Sequence, residues 1–285
     1  MQMLDDHIVL ITGAGSGLGL GLARYCLADG AQLALMEVSH SKVASLRAEF
    51  GESALVVQGD VTKIEDILAC KDRLTKRFGR LDGMICVHGI FDGMVPLKDT
   101  PLDKIGSLFD EVFHINVKGN ILLARAFIDM LTATGGAIVL TASTAAYAAD
   151  GGGLIYTASK GAVCSIVNQL AFEFAPRVRV TGVAPAAIAN SQLRGPEALG
   201  MQNQFQSDIP KDVFLATFHQ LSLMPDLPTP EDHGPLYAFL VSRHNKLMTG
   251  QTVVADQGAL NRALLTRKDG TTAGGVGGRR PSADG

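Results

Sequence analysis

Apolar residues in this chain gather in short unbroken runs, separated by longer stretches in which they recur every three or four positions. Ile8-Val9-Leu10-Ile11, Leu33-Ala34-Leu35-Met36, Ala54-Leu55-Val56-Val57, Gly83 to Val87 and Ala137 to Leu140 are runs of the first kind, Val178 to Val183 (interrupted by Arg179 and Thr181) and Thr252 to Ala255 are looser ones, and each predicts a strand. Between them, Gly17 to Asp29, Lys42 to Phe50, Ile64 to Phe78, Leu102 to Leu131, Leu154 to Phe174 and Glu231 to Val241 carry the helical period. Strands that are apolar throughout, rather than alternating, are buried on both faces, as in a parallel sheet covered by helices. Alternation of strand and helix then implies right-handed crossovers and a doubly wound arrangement. The expectation is an α/β fold: a single domain over residues 1–265, with a seven-stranded parallel sheet and helices on both faces.

Two segments break this rhythm. Residues 186–228 form a long connection after the sixth strand, and connections of that length are usually lids or disordered. At the end, residues 266–285 include six glycines, Pro281 and Arg279-Arg280, a composition that buries too little apolar surface to offset the entropy of ordering; a flexible tail is expected.

Composition narrows the function classes. The 285 residues are 47% hydrophobic and 19% charged, with 25 Lys and Arg against 28 Asp and Glu, a near-neutral balance. Nothing in that balance favours nucleic acid or an anionic membrane surface as a partner, and collagen, coiled coil and wholesale disorder are excluded. The run Met130 to Ala149 is uncharged, but it contains Gly135-Gly136 and five Thr or Ser residues, which suits a turn and a buried strand better than lipid. The start, Met1 to Asp6, is too acidic for a signal peptide, so a cytoplasmic location is expected. Cys26, Cys70, Cys86 and Cys164 are far apart and make no metal or redox spacing; they read as small core hydrophobes.

Glycine is enriched, and where it falls matters. Thr12-Gly13-Ala14-Gly15-Ser16-Gly17-Leu18-Gly19 joins the first strand to the first helix, where backbone N–H groups can approach a pyrophosphate at the positive helix end. A glycine triplet alone is a weak signal, but one between a strand and a helix points to a dinucleotide. Glu37 closes the second strand, 20 residues after Gly17, where a carboxylate can accept from both hydroxyls of an adenosine ribose and repel a 2′-phosphate. No basic residue follows closely, Lys42 being a turn further on, so NAD is favoured over NADP.

Tyr156 and Lys160 stand at i and i+4 on one helix face. A free phenol, with a pKa of ~10, is a poor base at neutral pH, and a neighbouring ammonium is expected to lower that value. Ser143 lies thirteen residues before Tyr156 at the end of the fifth strand, on the edge where parallel sheets bind ligands.

Residues 5 to 262 resemble the short-chain dehydrogenase/reductase family through Thr12 to Gly19, Asp60-Val61, Asn116, Ser143, Tyr156 with Lys160, and Val183-Ala184-Pro185. Within it the chain is most similar to bacterial cis-dihydrodiol dehydrogenases of aromatic-ring degradation, of the cis-2,3-dihydrobiphenyl-2,3-diol dehydrogenase kind. Asp150 to Lys160, Leu170 to Pro176 and Leu193-Arg194-Gly195-Pro196 carry that likeness. The resemblance implies a Rossmann-type fold in which Tyr156 is the general base, Lys160 binds the nicotinamide ribose and keeps Tyr156 ionised, and Ser143 binds the reacting oxygen. Asn116 would anchor a water in the proton relay. Gly13, Ser16, Gly17, Leu18, Gly19 and Glu37 would hold the coenzyme, Asp60 and Val61 its adenine, Val87, His88 and Gly89 the wall after the fourth strand, and Pro185 and Ile188 the nicotinamide. Thr144 would join Ser143 and Tyr156 at the substrate. A homotetramer is implied as well.

The chain departs from the family pattern in four places. Cys86-Val87-His88-Gly89 stands where Asn-Asn-Ala-Gly is usual, and Pro185-Ala186 replaces Pro-Gly, both beside the coenzyme. Thr144 follows the serine in place of Asn, and Ala146-Tyr147-Ala148 replaces an aromatic-Tyr-Pro stretch, both on the substrate side. His88 reads as a packed spacer rather than a base, with no metal partner nearby. Between 186 and 228, Phe214, Phe218 and Leu221 fall at i, i+4 and i+7; they would make either an apolar lid over a ring substrate or a packing surface.

The function expected is NAD-dependent oxidation of a secondary alcohol, most simply a cis-dihydrodiol of an aromatic ring going to its catechol. A ketone or hydroxysteroid-type reductase of the same family is the alternative. A non-catalytic dinucleotide sensor is a third reading, disfavoured because a sensor has no need of Ser143, Tyr156, Lys160 and Asn116 together.

Overall fold

A computed structural model of the chain describes residues 2–261. The flexible tail expected over 266–285 lies outside the described residues.

Seven strands form one parallel sheet: β1 (Ile8–Thr12), β2 (Gln32–Glu37), β3 (Ala54–Gln58), β4 (Gly83–Cys86), β5 (Ala137–Thr141), β6 (Arg179–Pro185) and β7 (Thr252–Ala255). Their order is β3-β2-β1-β4-β5-β6-β7. Ile11 pairs with Leu35 on one side and Ile85 on the other, so the chain reverses its winding direction between β1 and β4. Ligands bind above such a switch point, beyond the carboxyl ends of the strands.

The unbroken apolar runs are explained by burial on both faces. In β1, Ile8 and Leu10 enter one core cluster while Val9 and Ile11 enter the other. The first cluster is covered by α3 (Ile64–Phe78), α5 (Gly119–Thr134) and α6 (Leu154–Phe174) through Ile67, Phe127 and Val163. The second is covered by α1 (Gly17–Ala28), α2 (His40–Phe50) and α8 (Gly234–Val241) through Leu22, Leu46 and Tyr237. None of the helices among the described residues is long and apolar enough to cross a membrane.

The helical stretch expected over Leu102 to Leu131 is helical along its length but changes pitch within it. A short 3₁₀ turn leads into α4 (Ile105–Phe113), a π turn spans His114–Lys118, and α5 follows. The wider π turn frees a carbonyl from the α pattern. Here the Asn116 carbonyl accepts from Asn120 Nδ2 at 2.7 Å, an arrangement that depends on side-chain bonding rather than hydrophobic period.

Residues 186–228 are not structureless. Their ends are tied by the Ala189 N–H donating to the Pro228 carbonyl at 2.8 Å, and they contain an antiparallel bridge between Arg194 and Phe205 and a helix, α7 (Lys211–Leu221). The expected apolar face on α7 is only partly realised. Phe218 is buried and Phe214 half-buried, but Leu221 is 53% exposed, because α7 ends there and Ser222 turns the chain toward Gln257.

Candidate active site

The glycine turn sits directly above β1. Gly13 has φ of +72°, and a Cβ there would come within 2.8 Å of the His88 Cα; a Cβ on Gly19 would collide with the Gly13 carbonyl. Only glycine lets helix, turn and β4 approach this closely. Ser16 is the N-cap of α1 but makes no side-chain cap bond, and the first turn has no acidic residue. The helix therefore keeps unsatisfied N–H groups and an uncompensated positive end, which is what a pyrophosphate requires. The cradle fits a dinucleotide.

Glu37 is buried beside this cradle, its carboxylate accepting from the Gly15 N–H at 2.9 Å and the Ser39 N–H at 3.0 Å. Lys42, treated above as too distant to matter, folds back from α2 so that Nζ donates to Ser16 Oγ at 2.8 Å. One end of the cleft thus holds a carboxylate and an ammonium together. Asp60 accepts from the Thr62 N–H and hydroxyl, both at 2.8 Å, which shapes the turn after β3 and leaves Val61 against Gly119. Val87 is half-buried among the core residues on the α1 side of the sheet.

His88 is buried, and its Nδ1 lies 2.7 Å from the Thr12 hydroxyl, linking the ends of β4 and β1. Burial and, secondarily, the charge of Lys160 push its pKa down to about 3, so it is a neutral hydrogen-bonding spacer at physiological pH. A Cβ on Gly89 would lie 3.2 Å from Asn116 Oδ1 and 3.6 Å from Lys160 Nζ, so Gly89 borders both groups.

Ser143 follows β5 as the cap of a short 3₁₀ turn, its Oγ accepting from the Ala145 N–H at 3.2 Å. Thr144, next in that turn, is half-buried. The 21-residue helix α6 then brings Tyr156 and Lys160 under the same edge of the sheet, both buried. Lys160 Nζ donates to the Thr141 carbonyl at 2.9 Å and stands 5.6 Å from the Tyr156 ring centroid. Asn116 is fully buried; its amide grips Ile90 in both directions, at 2.9 and 3.0 Å, and donates to Ser159 Oγ at 3.1 Å. Ser159 in turn donates to the Tyr156 carbonyl at 2.7 Å, so Asn116 is coupled to the helix that carries the phenol.

In the free protein both groups, Tyr156 and Lys160, feel their burial first. Burial pushes Tyr156 up to about 12, with Ser143 pulling it down and Asp92 pushing it up. Burial likewise pulls Lys160 down to about 8. The physical reason is that both groups are withdrawn from water, which disfavours their charged forms, and the ammonium donates to the Thr141 carbonyl.

Pro185 ends β6 and Ile188, also buried, follows it. A Cβ on Gly17 would lie 3.3 Å from the Gln192 N, so the start of the 186–228 segment passes over the glycine turn. Cys26, Cys70 and Cys86 are buried with pKa values raised to about 12 by desolvation, whereas Cys164 is half-exposed, its Sγ 3.5 Å from the Tyr147 hydroxyl.

Sequence reasoning missed three participants. Asp92, Glu111 and Asn120 are buried or half-buried and bond to backbone at the site's borders. A signal existed for the first: Gly151-Gly152-Gly153 before α6 supplies no capping side chain, so a partner from elsewhere was required.

The family described as enoyl-(acyl carrier protein) reductase matches residues 13–259. Curated relatives from Escherichia coli, including strains IAI39 and E24377A, are named 3-phenylpropionate-dihydrodiol/cinnamic acid-dihydrodiol dehydrogenase. They are 40% identical over 265 residues, covering 93% of this chain and 97% of theirs. Among solved structures, a short-chain type dehydrogenase/reductase from Mycobacterium marinum superposes with a TM-score of 0.74 at 26% identity, covering 90% of this chain and 96% of that one. A 3-ketoacyl-(acyl-carrier-protein) reductase from Brucella melitensis complexed with NADH gives 0.76 at 27%, covering 90% and 98%.

Proposed function

The chain belongs to the short-chain dehydrogenase/reductase family of oxidoreductases, and from that premise we propose that it uses NAD to oxidise a cis-dihydrodiol of an aromatic ring to the corresponding catechol. The observation that carries the reading is the buried Tyr156 phenol with Ser143 acting on it and Lys160 one turn along, on the sheet edge that also bears the glycine cradle. The substrate class is supported by the names of relatives 40% identical over 93% of the chain.

A nicotinamide dinucleotide bound in the cradle supplies the hydride acceptor. The Ser143 hydroxyl holds the reacting oxygen, and Tyr156, in its phenolate form, takes the hydroxyl proton as the carbon gives up its hydride. One C–H and one O–H bond break, and a C=O bond forms. The hydroxyketone then shifts a ring proton to oxygen, yielding the catechol, NADH and one proton, with aromaticity drawing the reaction forward. Lys160, its pKa pulled down to about 8 by burial, passes the proton outward, and Asn116 holds the surrounding backbone in place. Gly13, Ser16, Gly17, Leu18 and Gly19 receive the pyrophosphate. Asp60 and Val61 border the adenine, Val87, His88 and Gly89 the wall beside it, and Pro185 and Ile188 the nicotinamide. Thr144 borders the diol.

NAD is preferred to NADP because the buried Glu37 carboxylate would meet a 2′-phosphate with like charge. The protein works as a homotetramer in the cytoplasm, and light scattering reports its size directly. The decisive experiment is NAD reduction across cis-diols of benzene, biphenyl, naphthalene and carboxylated rings, with ketones and NADH run in the other direction. Catechol release supports the reading. Turnover of ketones alone assigns the hydroxysteroid-type alternative, and failure to bind either coenzyme overturns both.

A further inference from the structure

Helix α6 lacks a cap of its own, since its N-cap is Gly153 and its first turn has no acidic residue. Its exposed N–H groups are satisfied from a distant part of the chain. Asp92, in the loop after β4 and 4% exposed, accepts from the Gly153 N–H at 2.9 Å through Oδ1 and from the Tyr156 N–H at 2.9 Å through Oδ2. Oδ1 also accepts from the Met94 N–H at 3.2 Å, which folds the loop around its own carboxylate. A Cβ on Gly153 would lie 2.6 Å from Asp92 Oδ1, so glycine is needed for the carboxylate to reach the helix.

The residues around Asp92 touch three other parts of the site. Ile90 is gripped by the Asn116 amide, and the Phe91 N–H donates to the Arg194 carbonyl at 2.9 Å. The Phe91 ring meets the Tyr156 ring edge-on at 5.1 Å. A Cβ on Gly93 would lie 2.6 Å from Met201 Sδ. Residues 90–94 therefore form a strap joining the π turn, the 186–228 segment and the first turn of α6.

We propose that Asp92 is a positioning residue for Tyr156: by accepting the N–H groups of Gly153 and Tyr156, it sets the depth and rotation of the first turn of α6 and so the place of the phenol against Ser143. This rests on the reading of Tyr156 as the proton-transfer group. The carboxylate has a second effect through its charge. The positive end of a helix favours an anion beside its first turn, and Asp92 cancels that help where Tyr156 stands. Asp92 from the β4 loop is the charged group acting on this phenol and Ser143 after β5 is its polar neighbour, while the Lys160 ammonium of α6 stands 5.6 Å from the ring and bears on the buried, neutral His88. Asp92 and burial oppose ionisation of the phenol, and Ser143 favours it.

Asp92→Asn and Asp92→Glu separate charge from placement. The Asn variant keeps an oxygen for Gly153 and Met94 but presents an amide donor to the Tyr156 N–H. It is expected to lower kcat about tenfold or more, to leave the KM for coenzyme within about threefold, and to move the acid limb of the kcat/KM profile down by at least about half a pH unit. The Glu variant keeps the charge and shifts the carboxylate by one methylene; kcat should fall while the limb stays near its wild-type position. The onset of phenolate ultraviolet absorbance, taken as the difference between each protein and its Tyr156→Phe counterpart, should move with the limb and needs no turnover. Unchanged kcat in Asp92→Glu, or an unmoved limb and phenolate onset in folded Asp92→Asn, overturns the proposal. A wild-type protein without dehydrogenase activity whose phenolate onset still shifts in Asp92→Asn would refute the proposed reaction and not the role of Asp92.

Discussion

Lys42 Nζ donates to Ser16 Oγ at 2.8 Å, and so brings an ammonium onto the same glycine turn whose Gly15 N–H is held by the Glu37 carboxylate. The adenosine end of the cleft therefore carries both signs of charge within one turn of chain. In the proposed preference for NAD, Glu37 outweighs Lys42 because it is buried, and a buried charge acts more strongly than a half-exposed one.

Glu37→Ser should then lower kcat/KM for NAD about tenfold or more and raise it for NADP, with Lys42 meeting the 2′-phosphate. Adding Lys42→Met should remove the NADP gain. Steady-state kinetics with both coenzymes test this; a single variant that gains nothing with NADP would show that Lys42 cannot reach the phosphate.

Tyr156→Phe removes the hydroxyl proposed to transfer the proton and keeps the ring. Its kcat should drop by about 10²- to 10⁴-fold, with coenzyme affinity by fluorescence titration within about threefold of wild type. Ser143→Ala should show the same pattern with a smaller loss. Equal losses of binding and turnover would mean that these side chains shape the coenzyme cleft rather than act on the substrate.

His88 links pH to stability. Burial lowers its pKa from 6.5 to about 3, so between those values the unfolded chain binds a proton that the folded chain refuses. Its contribution is fully present above pH 6.5 and is lost as pH falls toward 3, at about 1.4 kcal/mol per pH unit. His88→Gln keeps an acceptor for Thr12 and removes the titration. Urea unfolding at pH 7 and pH 4.5 should show wild type losing about 2.5 kcal/mol more than the variant. Parallel losses would contradict the assignment.

Glu111 anchors the 186–228 segment to α4. Its carboxylate accepts from the Glu197 N–H at 3.0 Å and the Ala198 N–H at 2.9 Å, and one oxygen lies 3.2 Å from Arg194 Nη1. Glu111→Ala should raise the KM for the alcohol about three- to tenfold and change kcat less, because a loosened segment weakens binding more than chemistry. A fall in kcat with unchanged KM would place Glu111 in the catalytic step instead.

Much of this molecule can be read from local pattern. The seven short strand runs, the bounds of α3 and α6, the glycine turn and the Tyr156–Lys160 spacing all depend on residues within a few positions of one another. Such features are set by backbone period and steric size, which a linear sequence displays directly.

What only the tertiary structure decided involves partners brought together by the winding of the sheet. Asp92 caps a helix that begins 62 positions later, Lys42 returns to a turn 26 positions earlier, and Glu111 seizes backbone 86 positions away. Leu221 shares a helical period with Phe218 yet faces outward, because the chain turns away at Ser222. Strand order and crossovers place these groups side by side, and desolvation in that assembled interior, rather than the i, i+4 spacing, sets the protonation of Tyr156 and Lys160.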